Sequence, residues 1–145
     1  MALVGELCDI MVQFDNPNQA DDIKLGNVLS SIQFAVPLAT KLRCHIITYT
    51  MAMPIVNGKS GIFYIGSNKS EGNVTKLIKR PDPDTGEVIK QKPRCLNSDM
   101  AAIVEITLEK PICVETFKNF AALGRVQMRD RGETLAVGTI KEIIY

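Results

Sequence analysis

The sixteen residues LGRVQMRDRGETLAVG, Leu123 to Gly138, constrain the fold more than any other part of the chain. Val126 and Met128 alternate with Gln127 and Arg129, the period of two that marks a strand with one buried face. Asp130-Arg131-Gly132 then supplies turn chemistry, with Gly132 free to take positive φ. Leu135 and Val137, followed by Ile140, Ile143 and Ile144, resume the apolar run. The pattern predicts a β-hairpin that closes a barrel. Its charges, Arg125, Arg129, Asp130 and Arg131, form either a solvated tip or a partner-facing cluster.

Upstream segments alternate in the same way. Leu3 to Phe14 reads as a strand with Leu7, Ile10, Val12 and Phe14 as candidate core residues. Asp15 to Asp22 is a polar loop, and Ile23 to Leu29 a short strand broken at Gly26-Asn27. After a junction at Phe34-Ala35-Val36-Pro37, Leu38 to Met51 predicts one long strand, Leu42, Cys44 and Ile46 inward against Lys41, Arg43 and His45. A turn-rich connection, Met53 to Gly61, leads to strands at Ile62–Ile65 and Asn73–Arg80. Arg80 to Glu87, with Pro81, Pro83 and Gly86, is a hairpin tip. Leu96 to Met100 is a turn, and Ala101 to Leu108 a strand broken at Lys110-Pro111. Ile112-Cys113-Val114 follows, then one helical turn at Glu115–Phe120 whose rings, Phe117 and Phe120, plug a barrel end. About eight strands joined by tight turns, without a long amphipathic helix, predict an all-β protein, an antiparallel Greek-key β-barrel.

The chemistry of catalysis is missing. The sequence holds no phosphate-cradling G-x-x-x-x-G-K-[ST] loop, no G-x-S-x-G and no H-E-x-x-H. His45 is the single histidine and has no nucleophile or carboxylate beside it in sequence, so it is read as a strand histidine facing solvent or bonded to a backbone carbonyl. The four cysteines, Cys8, Cys44, Cys95 and Cys113, contain no CxxC pair, which excludes an ordinary zinc site by spacing. They are expected to be reduced and buried, in a cytoplasmic protein. The first residues lack a basic n-region, and no apolar run is long enough to span a bilayer, so neither export nor membrane insertion is expected.

With 46% hydrophobic and 23% charged residues over 145 positions, the composition is that of one globular domain, or one domain plus a fragment. A net charge of +1 confines any nucleic-acid contact to a local patch, and 6% aromatic residues disfavour base stacking. The densest basic region is Lys76, Lys79, Arg80, Lys90, Lys92 and Arg94 around the predicted 80–87 tip. It faces RNA or the ribosome, or else it is a solvated hairpin whose charges protect an edge and whose field Asp82, Asp84 and Glu87 dilute.

LGRVQMRD followed by TLAVG resembles the last hairpin of the third domain of the elongation-factor-one-alpha class of translational GTPases. Leu25-Gly26-Asn27-Val28-Leu29, Met53-Pro54-Ile55, Pro93-Arg94-Cys95-Leu96, Ala101-Ala102-Ile103-Val104 and Lys110-Pro111-Ile112-Cys113-Val114-Glu115-Thr116-Phe117 are similar to the family in order and spacing. The resemblance implies the same barrel over residues 32–145, with residues 1–31 as terminal strands of a preceding barrel that dock on this domain or exchange with a neighbouring chain. Two departures stand out. Gly66-Ser67-Asn68 replaces a histidine common after the Ile62–Ile65 strand, and Val126 stands where phenylalanine is usual.

The resemblance further implies a non-catalytic, partner-binding domain, with GTP and magnesium held by an N-terminal domain absent from this fragment. The tip Asp84-Thr85-Gly86-Glu87-Val88 with Lys90-Gln91-Lys92-Pro93-Arg94 looks like the ribosome-rescue branch that binds Pelota. Arg129 to Thr134 looks closer to the class II release factor, which binds the class I release factor; SDMAAIV and PICVE are near elongation factor one alpha, which binds aminoacyl-tRNA. The expected function is docking of a Pelota-type decoding factor in ribosome rescue. Termination, and after it tRNA delivery, are the alternatives. Gly124, Arg125, Val126, Met128, Arg129 and Asp130 are the expected partner-binding residues, with Arg125 and Arg129 able to grip carboxylates.

Overall fold

A computed structural model describes residues 1–82 and 84–145; Pro83, part of the predicted hairpin tip, lies outside the described residues. Nine strands are formed among them: β1 Leu38–Thr48, β2 Ile55–Val56, β3 Lys59–Ile65, β4 Asn68–Pro81, β5 Val88–Gln91, β6 Cys95–Leu96, β7 Ala101–Cys113, β8 Arg125–Asp130 and β9 Glu133–Ile144. Six of them close an antiparallel ring in the order β3-β8-β9-β1-β7-β4, the β3–β4 ladder completing the circuit. Closure removes the open edges that an untwisted sheet would present. β5 adds outside β4, and β2 pairs with β6 in a separate short ladder. The links β1 to β3 and β7 to β8 each pass three places around the ring, as a Greek key requires.

Inward positions follow the period of two. Leu42, Cys44 and Ile46 of β1, Phe63 and Ile65 of β3, Val104 and Ile106 of β7, Val126 and Met128 of β8 and Ile140 of β9 fill the interior. Thr48 is buried too; its hydroxyl donates to the Asn97 carbonyl (2.7 Å) and accepts from the Met100 amide (2.9 Å), pinning the 97–100 turn. Cys44 alone among the cysteines is fully buried; Cys8 is exposed, and Cys95 and Cys113 are half-buried. The expectation that all four lie buried therefore holds only for the one on an inward strand position.

Pro111 does not end its strand. β7 continues to Cys113 because the chain bulges there: Ala39 pairs with Ile112 and Lys41 with Thr107, with Leu108 still in the core and Glu109, Lys110 and Pro111 exposed between them. The proline sits at the bulge, where no ladder hydrogen bond is needed from its nitrogen. Phe117 and Phe120 do not plug the barrel end. They are 37% and 47% exposed, on a connection of turns that runs to a 3-10 turn at Ala121–Leu123.

The largest departure is the leading segment. No strand forms before Leu38 among the described residues; Leu3–Phe14 is irregular, and the predicted strand at 23–29 is a turn. Leu7 and Ile10 are exposed rather than core, as is Val12, and Phe14 is only half-buried. Without a neighbouring strand, alternation has nothing to pack against. The segment meets the barrel at Gly26, whose carbonyl accepts from Asn68 Nδ2 (2.7 Å), and residues 26–28 lie beside the Pro111–Cys113 end of β7. Among the described residues, no helix is long and apolar enough to cross a membrane.

Candidate functional site

The outer face of four adjacent strands makes a groove of about 650 Å³. Register builds its floor. Ile47 pairs with Val137, Val137 with Gln127, and Gln127 with Tyr64, one continuous row across β1, β9, β8 and β3. A second row runs His45, Thr139, Arg125. Phe117 and Ala122, from the 115–123 connection, form the wall. That wall is tied down by backbone bonds: Phe117 N donates to Ile140 O (2.9 Å), and Ile140 N donates to Gly124 O (2.7 Å). Gly124 is required for this approach, because a Cβ there would overlap the Phe117 backbone.

Arg125 is the exposed charge of the groove. Its guanidinium lies over the Phe117 ring, 5.6 Å from the centroid, a cation–π contact that aims it across the rim. His45 is half-buried at the other end of its row, and its Nε2 is buried with no hydrogen-bond partner among the described residues, so the expected carbonyl bond is not made through Nε2. Burial, with Lys141 adding repulsion, lowers its pKa below the ordinary histidine value. The imidazole is neutral at neutral pH, and Arg125 supplies the groove's positive charge.

The structure divides the expected partner-binding residues. Arg125 stands at the groove, while Gly124 is buried behind its Phe117 wall. Val126 and Met128 are each 3% exposed, since even positions of β8 point into the barrel; Val126 borders the groove only as floor. They are core residues, not projecting contacts. Arg129 and Asp130 lie at the far end of β8 and are already occupied: Arg129 Nη2 donates to the Gly132 carbonyl of its own hairpin (2.9 Å), and Asp130 Oδ2 pairs with Lys59 Nζ on the neighbouring β3 (2.8 Å). The Lys59 hydrogen bond holds the Asp130 carboxyl below its ordinary range. The charged cluster is thus two separate ends of one strand. Ile47, Tyr64, Gln127 and Val137 are new to the site; Gln127 alternates outward in its own strand, whereas the apolar Ile47, Tyr64 and Val137 read as parts of buried runs, and the register brings the four together.

The basic residues do converge. Lys79 and Arg80 on β4 face Gln91 and Lys90 on β5, with Lys92 and Arg94 just beyond and Lys76 earlier on β4. Lys76 approaches the buried Glu105 at 3.6 Å. Among the described residues, no three His, Cys, Asp or Glu side chains stand together as metal ligands would.

A closed barrel carrying a charged-rim apolar groove on its outer face defines a binding module. The chain belongs to the GTP-eEF1A C-terminal domain-like family, whose model matches residues 41–141. It is 34% identical over 123 residues to "Protein HBS1" of Drosophila melanogaster, covering 85% of this chain and 18% of that protein. It is 32% identical over 123 residues to "Elongation factor 1-alpha" of Pyrobaculum arsenaticum, covering 85% of this chain and 28% of the relative. A solved structure of sup35 complexed with GMPPNP superposes with a TM-score of 0.80 at 28% identity, over 93% of this chain and 32% of that one. The residues given therefore correspond to the C-terminal barrel of translational GTPases and not to their GTPase domain, and they span less than a third of the length of these relatives.

Proposed function

We propose that this barrel docks a Pelota-type decoding factor in ribosome rescue, using the β3-β8-β9-β1 groove. The observation that carries the reading is Arg125 held over Phe117 beside an exposed apolar row. A partner places an apolar side chain on Ile47, Val137 and Tyr64 and a carboxylate on Arg125, the arrangement of an interface anchor with a charged rim. The likeness to HBS1 and the 84–94 hairpin sequence favour the rescue branch. The likeness to sup35 keeps docking of the class I release factor as the second reading. The elongation factor 1-alpha relatives keep aminoacyl-tRNA as the third. In the longer, cytoplasmic protein, GTP and magnesium belong to another domain. Residues 1–31 find their partner strands in the preceding barrel.

Calorimetry against the C-terminal domains of Pelota and of the class I release factor tests this. Tight binding to Pelota alone is expected. Arg125→Ala should weaken it by ~2 kcal/mol, roughly thirtyfold in Kd, with the melting curve unchanged. Binding only to the release factor moves the domain to termination; unchanged affinity in the variant removes the groove from the interface.

A further inference from the structure

We propose that His45, Thr139 and Arg125 form one receptor for a carboxylate, and that His45 makes the groove select an acid over a neutral group of the same shape. The inference rests on the groove being the docking site and adds the chemistry recognised there. Its ground is the order of the two rows. His45 and Ile47 lie two residues apart on β1, Thr139 and Val137 on β9, Arg125 and Gln127 on β8. The polar row therefore runs parallel to the apolar one, roughly 7 Å away along the strands. Strand spacing sets His45 and Arg125 roughly 10 Å apart at the backbone with Thr139 midway, a span their side chains can close on one carboxylate seated over Thr139. Among the described residues, no acidic side chain lines the groove, and neither His45 nor Arg125 forms an ion pair. Of the two ring nitrogens of His45, Nε2 is shut away and unpaired, which leaves Nδ1 to meet a docked group.

The charges around His45 favour an anion. On its own strand, Arg43 is paired with Glu142 of β9 (2.7 Å). On β7, Ile103 stands opposite the histidine, and the nearby Glu105 is met by Lys76 of β4 (3.6 Å). In the wall, the Glu115 carboxylate is turned onto the Thr116 amide (2.8 Å). Each neighbouring acid is thus engaged. Lys79 beyond Ile103, Lys118 in the wall, Arg125, and Lys141 at the β9 bulge have no carboxylate partner among the described residues. Burial first, and then Lys141, lower the His45 pKa. A carboxylate within ~4–6 Å of the ring works the other way and raises it. Affinity therefore gains from His45 protonation below the pKa of the free domain, and it loses that gain as pH rises through the higher pKa of the complex. Above that, Arg125 and the Thr139 hydroxyl hold the acid, so affinity falls to a plateau.

NMR titration of the intact chain with phenylpropionate, an aromatic ring beside a carboxylate, tests the proposal, with phenylpropionamide as its neutral twin. Phenylpropionate should shift the Thr139 and Arg125 amides and raise the His45 midpoint. The neutral twin should bind about tenfold more weakly. Affinity for the acid should tighten about threefold or more from roughly pH 7.5 to pH 5.5 and stay flat with pH in His45→Gln. His45→Phe gives the same readout should the polar substitution disturb folding. Thr139→Val should weaken the acid about threefold at every pH. No binding of phenylpropionate, equal binding of the neutral twin, or an unaltered pH profile in both His45 variants overturns the proposal. The same pH series with the Pelota C-terminal domain keeps the two readings apart. Pelota binding while phenylpropionate leaves His45 unmoved sinks the receptor and keeps the docking. Phenylpropionate binding with the expected pH profile and no Pelota affinity keeps the receptor and removes that partner.

Discussion

Leu42, Cys44 and Ile46 in β1 and Ile10, Val12 and Phe14 in the leading segment share one spacing and meet opposite fates. The first three are 0–3% exposed, while Ile10 and Val12 are 65% and 45% exposed. The difference is company. β1 runs between β7 and β9, which satisfy its backbone on both sides and cover its inner face; the leading residues have no ladder at all. Alternation states which face of a strand would be buried, and only a hydrogen-bonded neighbour turns that into a strand.

Substitutions sharpen this contrast. Phe63→Ala removes a ring with no exposed surface and should cost about 3–5 kcal/mol in denaturant unfolding. Leu7→Ala, at a fully exposed position, should stay within ~0.5 kcal/mol. A comparable loss at both sites would mean that the leading segment packs in solution. Gly138→Ala drives a methyl into the His45 carbonyl across the β1–β9 ladder, and about 1–3 kcal/mol of destabilisation is expected by the same assay.

Thiol chemistry compares the two regions without mutation. Burial pushes the Cys44 thiol up to about 12, whereas Cys8 is open to solvent. Iodoacetamide at mildly alkaline pH should label Cys8 promptly and Cys44 only as the barrel unfolds, read by mass spectrometry. Prompt labelling of Cys44 would show that β1 opens locally.

The smallest effect lies at the β8–β9 tip. Because Lys59 lowers the Asp130 pKa, the pair's stabilisation is complete above the ordinary aspartate value and is lost as pH falls through the depressed one. NMR titration should show Asp130 moving back toward the ordinary range in Lys59→Met. An unmoved midpoint would discount the Lys59 contact.

How much of this was legible follows from what period two encodes. The barrel was, because each strand states its own inner face; Val126 and Met128 are inward by the same rule that made the hairpin recognisable. By that rule Met128 is core and Val126 reaches the groove only as floor, so neither side chain projects toward a partner. Arg125 was legible through the LGR motif. Its neighbours Ile47, Tyr64 and Val137 come from three other strands, and the shear of the closed ring, which no local pattern records, sets them in one row. Proline at 111 misled because a bulge lets a strand run through it.

The stacking of Arg125 on Phe117 has a thermodynamic corollary. A free arginine on a barrel surface samples many rotamers, and docking must freeze them at a cost of about 0.5–1.5 kcal/mol for such a side chain. Here the ring, itself fastened by its amide to Ile140, has already narrowed that choice before any partner arrives. Removing Phe117 would leave every charge in place and still slacken the grip, with the loss appearing in the entropy of binding.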